Sequence, residues 1–289
     1  MLDLVRDILM DATLAGARAV VDVRRRGTVT ARYKTGAELV TDADEASDSA
    51  MLAILRSRLG ALDPSISLRL EESGSSGSQA HRHVGADPLD GTSHFAAGGT
   101  MYSVQAHYVE DGVPLVGVVF QPEVYLPLAE SERCVGRLVD AVRGGGAFVR
   151  RTEFDGATFQ MTAPRKVERR PPSGRHTFVA AVPITTKMSP AERATAQRVY
   201  ESGLLAASMG VGNAGGNAMM VVFGGQDVYA NLGAGEELDL APPQVIAEEI
   251  GLTVWGPDRR PPVWHVRKMP VLFAPDDETA EAFLRAAGI

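Results

Sequence analysis

The sequence is short of cysteine and of long apolar runs. Cys134 is the only cysteine among the 289 residues, so no internal disulfide can form, and a reducing compartment such as the cytoplasm is the expected location. No stretch reaches the roughly 18 uninterrupted apolar residues that a membrane-spanning helix needs. Residues 1–12 carry charges throughout, which excludes the apolar core of a signal peptide. The sequence therefore predicts a globular protein without a membrane partner.

Positive charge is also in deficit. The chain has 29 Lys and Arg against 36 Asp and Glu, a net charge of −7, which gives no general attraction to nucleic acid or to an anionic membrane. A basic run at residues 24–27 lacks the interleaved aromatic side chains that stack on bases. We therefore expect no nucleic-acid partner, and interpret the run as a solvated turn, with Lys34 further on as a residue close to the functional site.

Hydrophobic residues make up 45% of the chain, enough for a large core. Apolar residues recur at helical spacing over residues 2–23 and 45–59, and they alternate with polar ones over residues 101–109. Residues 110–112 predict a hairpin turn into a buried strand at residues 115–120. Further signals predict helices at 191–201, 215–223 and 245–250, and a strand at 227–231. These mixed elements predict an α+β or layered α/β fold.

A segment rich in proline and basic residues, 161–176, contains little that could pack in a core. We take it as the boundary between two halves. The prediction is an N-terminal α+β half, residues 1–160, with most of the functional carboxylates, and a C-terminal α/β half, residues 161–289, that closes over the substrate.

The most informative stretch is Asp87-Pro88-Leu89-Asp90-Gly91-Thr92. Two carboxylates three residues apart around a proline-stiffened turn can point to one place, and the carbonyl of Leu89 can join them. Hard oxygen donors of this kind suit Mg²⁺. The small residues 91–93 would leave backbone N–H groups open at a helix start, where a phosphate can bind. Either dipeptide alone, Asp-Pro or Asp-Gly, is an ordinary turn signal; the complete string is more specific.

The complete string resembles the signature of the inositol monophosphatase superfamily, which includes inositol, fructose-bisphosphate and 3′-phosphoadenosine-5′-phosphate phosphatases. Upstream, Glu71-Glu72-Ser73 is similar to the family's Glu-Glu-Ser element. The resemblance implies that Glu71 binds metal and, together with Thr92, orients the attacking water. It also implies a five-layered αβαβα sandwich, a homodimer and two or three Mg²⁺ ions in each site.

Two further elements extend the resemblance over nearly the whole chain. Lys34 with residues 39–44 is similar to the early segment of the family, and this implies that Asp44 contributes to a third, weaker metal site. Residues 238–241 are similar to the element whose Trp-Asp pair supplies the last ligand, although a leucine stands before Asp239 here. The metal ligands implied are Glu71, Asp87, the carbonyl of Leu89, Asp90 and Asp239.

The substrate half of the site departs from the family pattern. The doublet Glu236-Glu237 adds a residue before Asp239, so either glutamate could replace or assist that aspartate. Asn231 stands where inositol phosphatases carry an acidic residue, which argues against an inositol phosphate substrate. Pro242-Pro243 disfavours helical geometry at Pro242, so we expect the following helix to start late. The substrate-binding residues implied are Gly91, Thr92, Ser93, Gly212, Asn213 and Asn231.

Five carboxylates at one site require cations. At an effective dielectric of about 20, two carboxylates about 4 Å apart repel by roughly 4 kcal/mol. Two Mg²⁺ ions would bring four positive charges and a third would bring six, which would hold the cluster together and attract a phosphate dianion. The expected activity is hydrolysis of a phosphate monoester by a metal-activated water.

Other interpretations compete with this one. A protein of the same fold could have lost catalysis and bind a phosphate ligand as a sensor. Residues 210–215 match the G-x-G-x-x-G pattern, but a dinucleotide site is disfavoured because no convincing βαβ unit precedes it. His81 and His83 lack a third metal ligand at suitable spacing and are expected on an exposed loop. The substrate class stays open among nucleoside or nucleotide, sugar and inositol phosphates and specialised-metabolite intermediates, with nucleosides and specialised metabolites favoured.

Overall fold

The computed structural model describes residues 1–34, 38–76, 81–125, 134–169, 171, 174, 176–185, 187–265 and 268–289. Two long helices form its first layer: α1, Leu2–Arg25, and α2, Asp42–Leu62. The helical spacing of Val5, Leu9 and Ala12 turns one face of α1 into the core. A short hairpin, β1 (Ala31–Tyr33) and β2 (Leu39–Thr41), joins the two helices.

A nine-stranded sheet forms the second layer. Its strands run in the order β10-β9-β8-β7-β6-β5-β3-β4, with β11 also paired to β9. All of these pairings are antiparallel except β3 with β5. The strands are β3 (Ser67–Leu70), β4 (Gly74–Ser76), β5 (Arg82–Asp90), β6 (Ser103–Glu110), β7 (Val113–Tyr125), β8 (Val135–Val142), β9 (Gly146–Phe154), β10 (Phe159–Met161) and β11 (Arg165–Lys166). A short helix, α3 (Thr92–Ala96), follows β5.

Two helices form the middle layer between this sheet and a second one. They are α5 (Ala214–Val222) and α6 (Glu237–Glu249). The second sheet has the order β13-β12-β14-β16-β15. Its strands are β12 (Phe178–Ala181), β13 (Leu205–Ser208), β14 (Val228–Glu236), β15 (Thr253–Trp255) and β16 (Lys268–Ala274). The outer face of this sheet packs with α4 (Pro190–Glu201) and α7 (Asp277–Ala287).

The hydrophobic core follows this layering. One buried cluster joins α1 and α2 to the first sheet, a second joins the other face of that sheet to α5, α6 and the second sheet, and a third joins the second sheet to α4 and α7. The predicted five-layered αβαβα sandwich is confirmed. Most of the predicted helices and strands are also confirmed with small changes at their ends. The division at residue 160 stays a prediction, and part of the proposed boundary segment lies outside the described residues.

Helix α6 corrects one prediction. It begins at Glu237 and runs through Pro242 and Pro243, whereas the sequence predicted a helix only from residue 245. A proline inside a helix costs about 3 kcal/mol because it removes a backbone hydrogen bond. Packing offsets this cost, since most apolar residues of α6 are buried between the two sheets. Gly117 on β7 permits the contact: a Cβ there would lie 2.2 Å from the carbonyl oxygen of Pro242.

Among the described residues, no helix combines the length and apolar character that crossing a bilayer requires.

Candidate functional site

Three buried or half-buried aspartates meet where β5 ends and α6 begins. Asp87 and Asp90 belong to β5, and the register of β5 against β6 shifts between them, at Pro88, which has no N–H to donate to a sheet. Asp239 lies in the first turn of α6. Each of the three offers a carboxylate oxygen, and these atoms all lie within 4.8 Å of one another. Backbone geometry thus brings together three of the predicted metal ligands.

Backbone donors hold the aspartates of β5 in place. Oδ1 of Asp87 accepts a hydrogen bond from the amide of Leu89 at 2.9 Å. Oδ2 of Asp90 accepts one from the amide of Gly215 at 2.9 Å and another from the Ser103 hydroxyl at 3.2 Å. Because Gly215 is in α5, this contact ties the middle helix layer to the end of β5 that carries Asp87 and Asp90.

Glu71 lies directly after β3 and lines the same cavity as the aspartates. Nζ of Lys34 lies 3.5 Å from Oε1 of the Glu71 carboxyl group. Lys34 also forms an ion pair with Glu72. The expectation that Lys34 lies near the site is therefore confirmed.

The carboxylates of the acidic cluster are desolvated and repel one another. Burial, with the neighbouring carboxylates Glu71, Asp239 and Asp90, raises the pKa of Asp87 well above its ordinary value. Burial likewise raises the pKa of Asp90 to about 7, and burial, with the neighbouring carboxylates Asp90, Glu71 and Glu236, raises the pKa of Asp239 well above its ordinary value. Carboxylates in such a position favour either protons or a bound cation. An oxygen-only donor set fits Mg²⁺.

The hydroxyl of Thr92 contacts Asp44. It donates to Oδ1 of Asp44 at 2.8 Å and lies 3.1 Å from the carbonyl oxygen of Leu89. The other oxygen of Asp44 caps α2, because it accepts hydrogen bonds from the amide and hydroxyl of Thr41. Asp44 is thus placed beside Thr92 and held there by a capping box.

The cavity at this site has a volume of about 240 Å³, which suits a small substrate. Its rim contains charges of both signs: Lys187 pairs with Glu38 at 3.0 Å, and Glu236 pairs with Lys268 at 2.6 Å. The lining residues are Glu38, Leu39, Glu71, Asp87, Leu89, Asp90, Gly91, Thr92, Ser93, Lys187, Gly212, Asn213, Ala214, Glu236, Leu238 and Asp239.

The predicted substrate-binding residues divide into two groups. Gly91, Thr92, Ser93, Gly212 and Asn213 line the cavity. The side chain of Asn213 is already engaged, because its oxygen caps α5 and its nitrogen donates to the carbonyl of Met101. Asn231 is not among the lining residues; its amide donates to the Tyr229 hydroxyl at 3.1 Å. Its predicted contact with substrate stays a prediction.

The two glutamates before Asp239 point to different places. Glu236 lines the rim, whereas Glu237 is turned toward the first sheet and buried to 3% exposure. Asp239 is therefore the residue of this segment that joins Asp87 and Asp90. Glu237 instead contacts Arg69, His83 and His107, which we call the Glu237 cluster.

Sequence reasoning missed this cluster. His81 is exposed as expected, but the placement of His83 on an exposed loop is wrong, since His83 lies in β5 and contacts Glu237. His107 is one of the polar residues that alternate with apolar ones over residues 101–109, and it is buried beneath α6. The extra acidic residue in the doublet was the one available signal of a buried polar partner.

The glycine-rich segment 210–215 needs a correction as well. It lies between β13 and α5, and β13, β12 and β14 are mutually parallel, so a parallel strand-helix-strand unit does exist here. The amide of Gly215 at the start of α5 is nevertheless taken by Asp90. This helix start therefore serves the acidic cluster.

Comparison with known proteins identifies the family of this chain. A family model described as the inositol monophosphatase family matches residues 1–287. The chain belongs to this family. The crystal structure of the extragenic suppressor protein suhB from Bartonella henselae superposes with a TM-score of 0.72, at 20% identity and over 98% of each chain. An IMPase/NADP phosphatase complexed with Mg²⁺ and phosphate superposes with a TM-score of 0.68, at 20% identity, covering 93% of this chain and 91% of the other.

A curated relative is more similar in sequence over a shorter region. The histidinol-phosphatase of Mycobacterium tuberculosis (strain ATCC 25618 / H37Rv) is 33% identical over 153 residues. The match covers 52% of this chain and 52% of that protein, so it spans about half the length of the relative.

Proposed function

We propose that this family member is a Mg²⁺-dependent phosphatase that hydrolyses a phosphate monoester of a small molecule. The convergence of Asp87, Asp90 and Asp239 at one end of a small cavity carries the proposal. Only cations could keep such a buried acidic cluster ionised, and a phosphate dianion needs those same cations to approach it. The Mg²⁺ and phosphate bound by a relative of the same fold support the choice of metal and ligand.

The residues that would hold the metal are all oxygen donors. We assign two or three Mg²⁺ ions to Glu71, Asp87, the carbonyl of Leu89, Asp90 and Asp239, with Asp44 as an outer contributor. When bound, the ions supply Lewis acidity, which activates water and neutralises charge on the phosphate.

Thr92, Asp44 and Glu71 would orient the attacking water. Because the Thr92 hydroxyl gives its hydrogen to Asp44 at 2.8 Å, its oxygen stays open to accept a hydrogen bond from water. Glu71 offers a second acceptor on the same cavity wall. Two acceptors at fixed positions align the water for attack on phosphorus. They also take the place of mobile solvent molecules around it.

The phosphate would bind beside residues 91–93, which line the cavity before and at the start of α3. The left-handed conformation of Gly91, with φ of 101°, forms this turn, and a Cβ there would lie 2.8 Å from the side chain of Asn213. A larger residue at position 91 would therefore push the wall of the cavity outward.

We infer that the rest of the substrate is polar and compact. A mixed rim of Glu38, Lys187 and Glu236 suits polar or charged groups. Nucleoside phosphates and specialised-metabolite phosphates remain favoured over inositol phosphates, because Asn231 replaces an acidic residue. The similarity to a histidinol-phosphatase adds an amino-alcohol phosphate to the candidates.

Phosphate release across a substrate panel tests the proposal. Histidinol phosphate, inositol 1-phosphate, NADP, fructose 1,6-bisphosphate and 3′-phosphoadenosine-5′-phosphate should be assayed with Mg²⁺ and with EDTA. We expect Mg²⁺-dependent release from at least one class. A folded protein that binds these phosphates but hydrolyses none would favour the alternative, a catalytically silent binding protein.

A further inference from the structure

The buried Glu237 cluster lies behind the active site and has no place in the proposed reaction. Glu237 is in the first turn of α6, and its carboxylate contacts three adjacent strands of the first sheet. Oε2 pairs with Arg69 of β3, and Oε1 faces Nε2 of His83 on β5 and Nε2 of His107 on β6, the latter at 3.0 Å. One carboxylate therefore fastens the start of α6 to the sheet.

The start of α6 needs such an attachment, because its own backbone holds it weakly. No side chain caps this helix at Glu236. Pro242 and Pro243 have no N–H, so the carbonyls of Leu238 and Asp239 lose their usual helical donors. The turn that carries Asp239 thus lacks part of the hydrogen bonding that would fix an ordinary helix.

We propose that Glu237 is a positioning residue for the metal centre, which holds the first turn of α6 so that Asp239 faces Asp87 and Asp90. Residues two apart in a helix point in roughly opposite directions, about 200° apart at 100° per residue. The side that Glu237 fastens to the sheet is therefore opposite to the side that Asp239 presents to the cavity. The inference rests on the proposed function in taking Asp239 as a Mg²⁺ ligand.

The residues around His107 are arranged so that its imidazole can reach Glu237. Gly85 lies directly opposite His107 in the register of β5 and β6. A Cβ at position 85 would be 2.3 Å from Cε1 and 2.5 Å from Nε2 of His107. Only the absence of a side chain at Gly85 lets the imidazole reach Glu237 beneath Leu238.

The same donor set, two histidines and a glutamate within 4.8 Å, also resembles a zinc site. Arg69 favours the hydrogen-bonded assignment, because its guanidinium already neutralises the carboxylate. With neutral imidazoles, both Nε2–H groups can donate to Oε1, and no further cation is required.

The test compares two Glu237 variants with a control on the same helix. Glu248 is half-buried in α6 and pairs with Arg143 at 2.6 Å, so Glu248→Ala loosens the far end of the helix from the sheet. Mg²⁺ affinity is measured by titration calorimetry, alongside the thermal unfolding midpoint and kcat and KM on the substrate found in the panel.

We expect Glu237→Ala to weaken Mg²⁺ binding about 10- to 100-fold, as for other groups that orient metal ligands. Glu237→Gln, which keeps one acceptor for the histidines, should recover part of the affinity. Glu248→Ala should lower the unfolding midpoint while leaving Mg²⁺ affinity within about 2-fold of wild type, since it lies about two and a half turns from Asp239.

Wild-type Mg²⁺ affinity in Glu237→Ala, or an equal loss in Glu248→Ala, would overturn the positioning role. One equivalent of tightly bound zinc in the purified wild type, absent from both Glu237→Ala and His107→Ala, would overturn the hydrogen-bonded assignment. A wild type that binds Mg²⁺ but hydrolyses nothing would refute the proposed function alone, because calorimetry still reports on Glu237.

Discussion

The amide of Gly215 donates a hydrogen bond to Oδ2 of Asp90 at 2.9 Å, across 125 residues of sequence. This contact joins the start of α5 to the end of β5. The approach is close enough that a Cβ at position 215 would lie 2.7 Å from that same oxygen and 2.7 Å from Oε1 of Gln105. Glycine at this position therefore sets how near the helix comes to the acidic cluster.

Gly215→Ala should damage the metal centre. The added methyl group must displace Asp90 or Gln105, and overpacking of this kind costs about 1–3 kcal/mol. We expect weaker Mg²⁺ binding and a lower unfolding midpoint. Gly210→Ala in the preceding loop is the control, since its Cβ would meet nothing closer than 3.7 Å. Calorimetry and thermal unfolding of both variants check this; unchanged Mg²⁺ affinity in Gly215→Ala would contradict it.

Thr92→Val should slow turnover while sparing the metals. Valine removes the hydroxyl that bonds to Asp44 but keeps the shape of the side chain, and loss of a group that handles the attacking water costs on the order of 10²-fold in kcat. Thr92→Ser retains the hydroxyl and should keep most of the activity. The check is kcat and Mg²⁺ affinity for both variants; equal kcat in Thr92→Val and wild type would exclude a role in orienting water.

The metal-free protein should lose stability as pH rises from 5 to 8. Burial raises the pKa of Asp90 to about 7, so the folded state holds a proton that the unfolded state has already released at pH 5. This group therefore lowers the free energy of unfolding by about 3 kcal/mol as pH rises from 5 to 8, and most of the loss occurs below pH 7. Burial lowers the pKa of His107. At pH values below the ordinary pKa of histidine, this group therefore makes stability rise with pH, opposite to the effect of Asp90.

Comparison with Asp90→Asn isolates the contribution of Asp90 to the pH dependence of stability. Unfolding free energies in EDTA are measured for both proteins at pH 5 and pH 8. Wild type should lose stability relative to the variant over this range, and added Mg²⁺ should restore it at pH 8, where the proton no longer competes. A difference between the two proteins that does not change with pH would contradict the raised pKa.

Gly117→Ala should destabilise the fold. Its Cβ would lie 2.2 Å from the carbonyl oxygen of Pro242, a backbone atom that cannot turn aside, so we expect a loss of about 3 kcal/mol or more. Gly60→Ala provides the contrast: Gly60 is in α2 with nothing within 4 Å of its added Cβ, and alanine should gain about 0.5–1 kcal/mol. Denaturant unfolding of both variants checks whether the free energy of unfolding falls in Gly117→Ala and rises in Gly60→Ala.

Local patterns predicted the parts of the site that depend on adjacent residues. Asp87 and Asp90 are brought together by one proline-containing stretch of β5, and the spacing of the motif is sufficient to indicate a shared ligand. The amphipathic pattern of α1 and the hairpin at residues 110–112 are equally local. For these elements, neighbouring residues carry nearly all of the determining interactions.

The start of α6 and the Glu237 cluster were not predicted, because both depend on contacts between strands and helices that are distant in sequence. Pro242 and Pro243 oppose a helix locally, and α6 forms because it packs between two sheets and against Gly117. Likewise, His107 meets Glu237 across 130 residues, through the register of β5 and β6 and the absence of a side chain at Gly85. The residues that flank His107 and the two prolines do not indicate these contacts, and the Glu236-Glu237 doublet is the one local signal of the second.

Phosphate release by wild type and Asp90→Asn, measured over a Mg²⁺ titration, tests the central claim most directly. Asparagine keeps the shape of the side chain but removes the charge that binds metal. We predict saturable, Mg²⁺-dependent release by wild type and none above background by a folded Asp90→Asn. Retention of most activity in the variant, or release by wild type that persists in EDTA, would contradict the metal centre assigned to Asp87, Asp90 and Asp239.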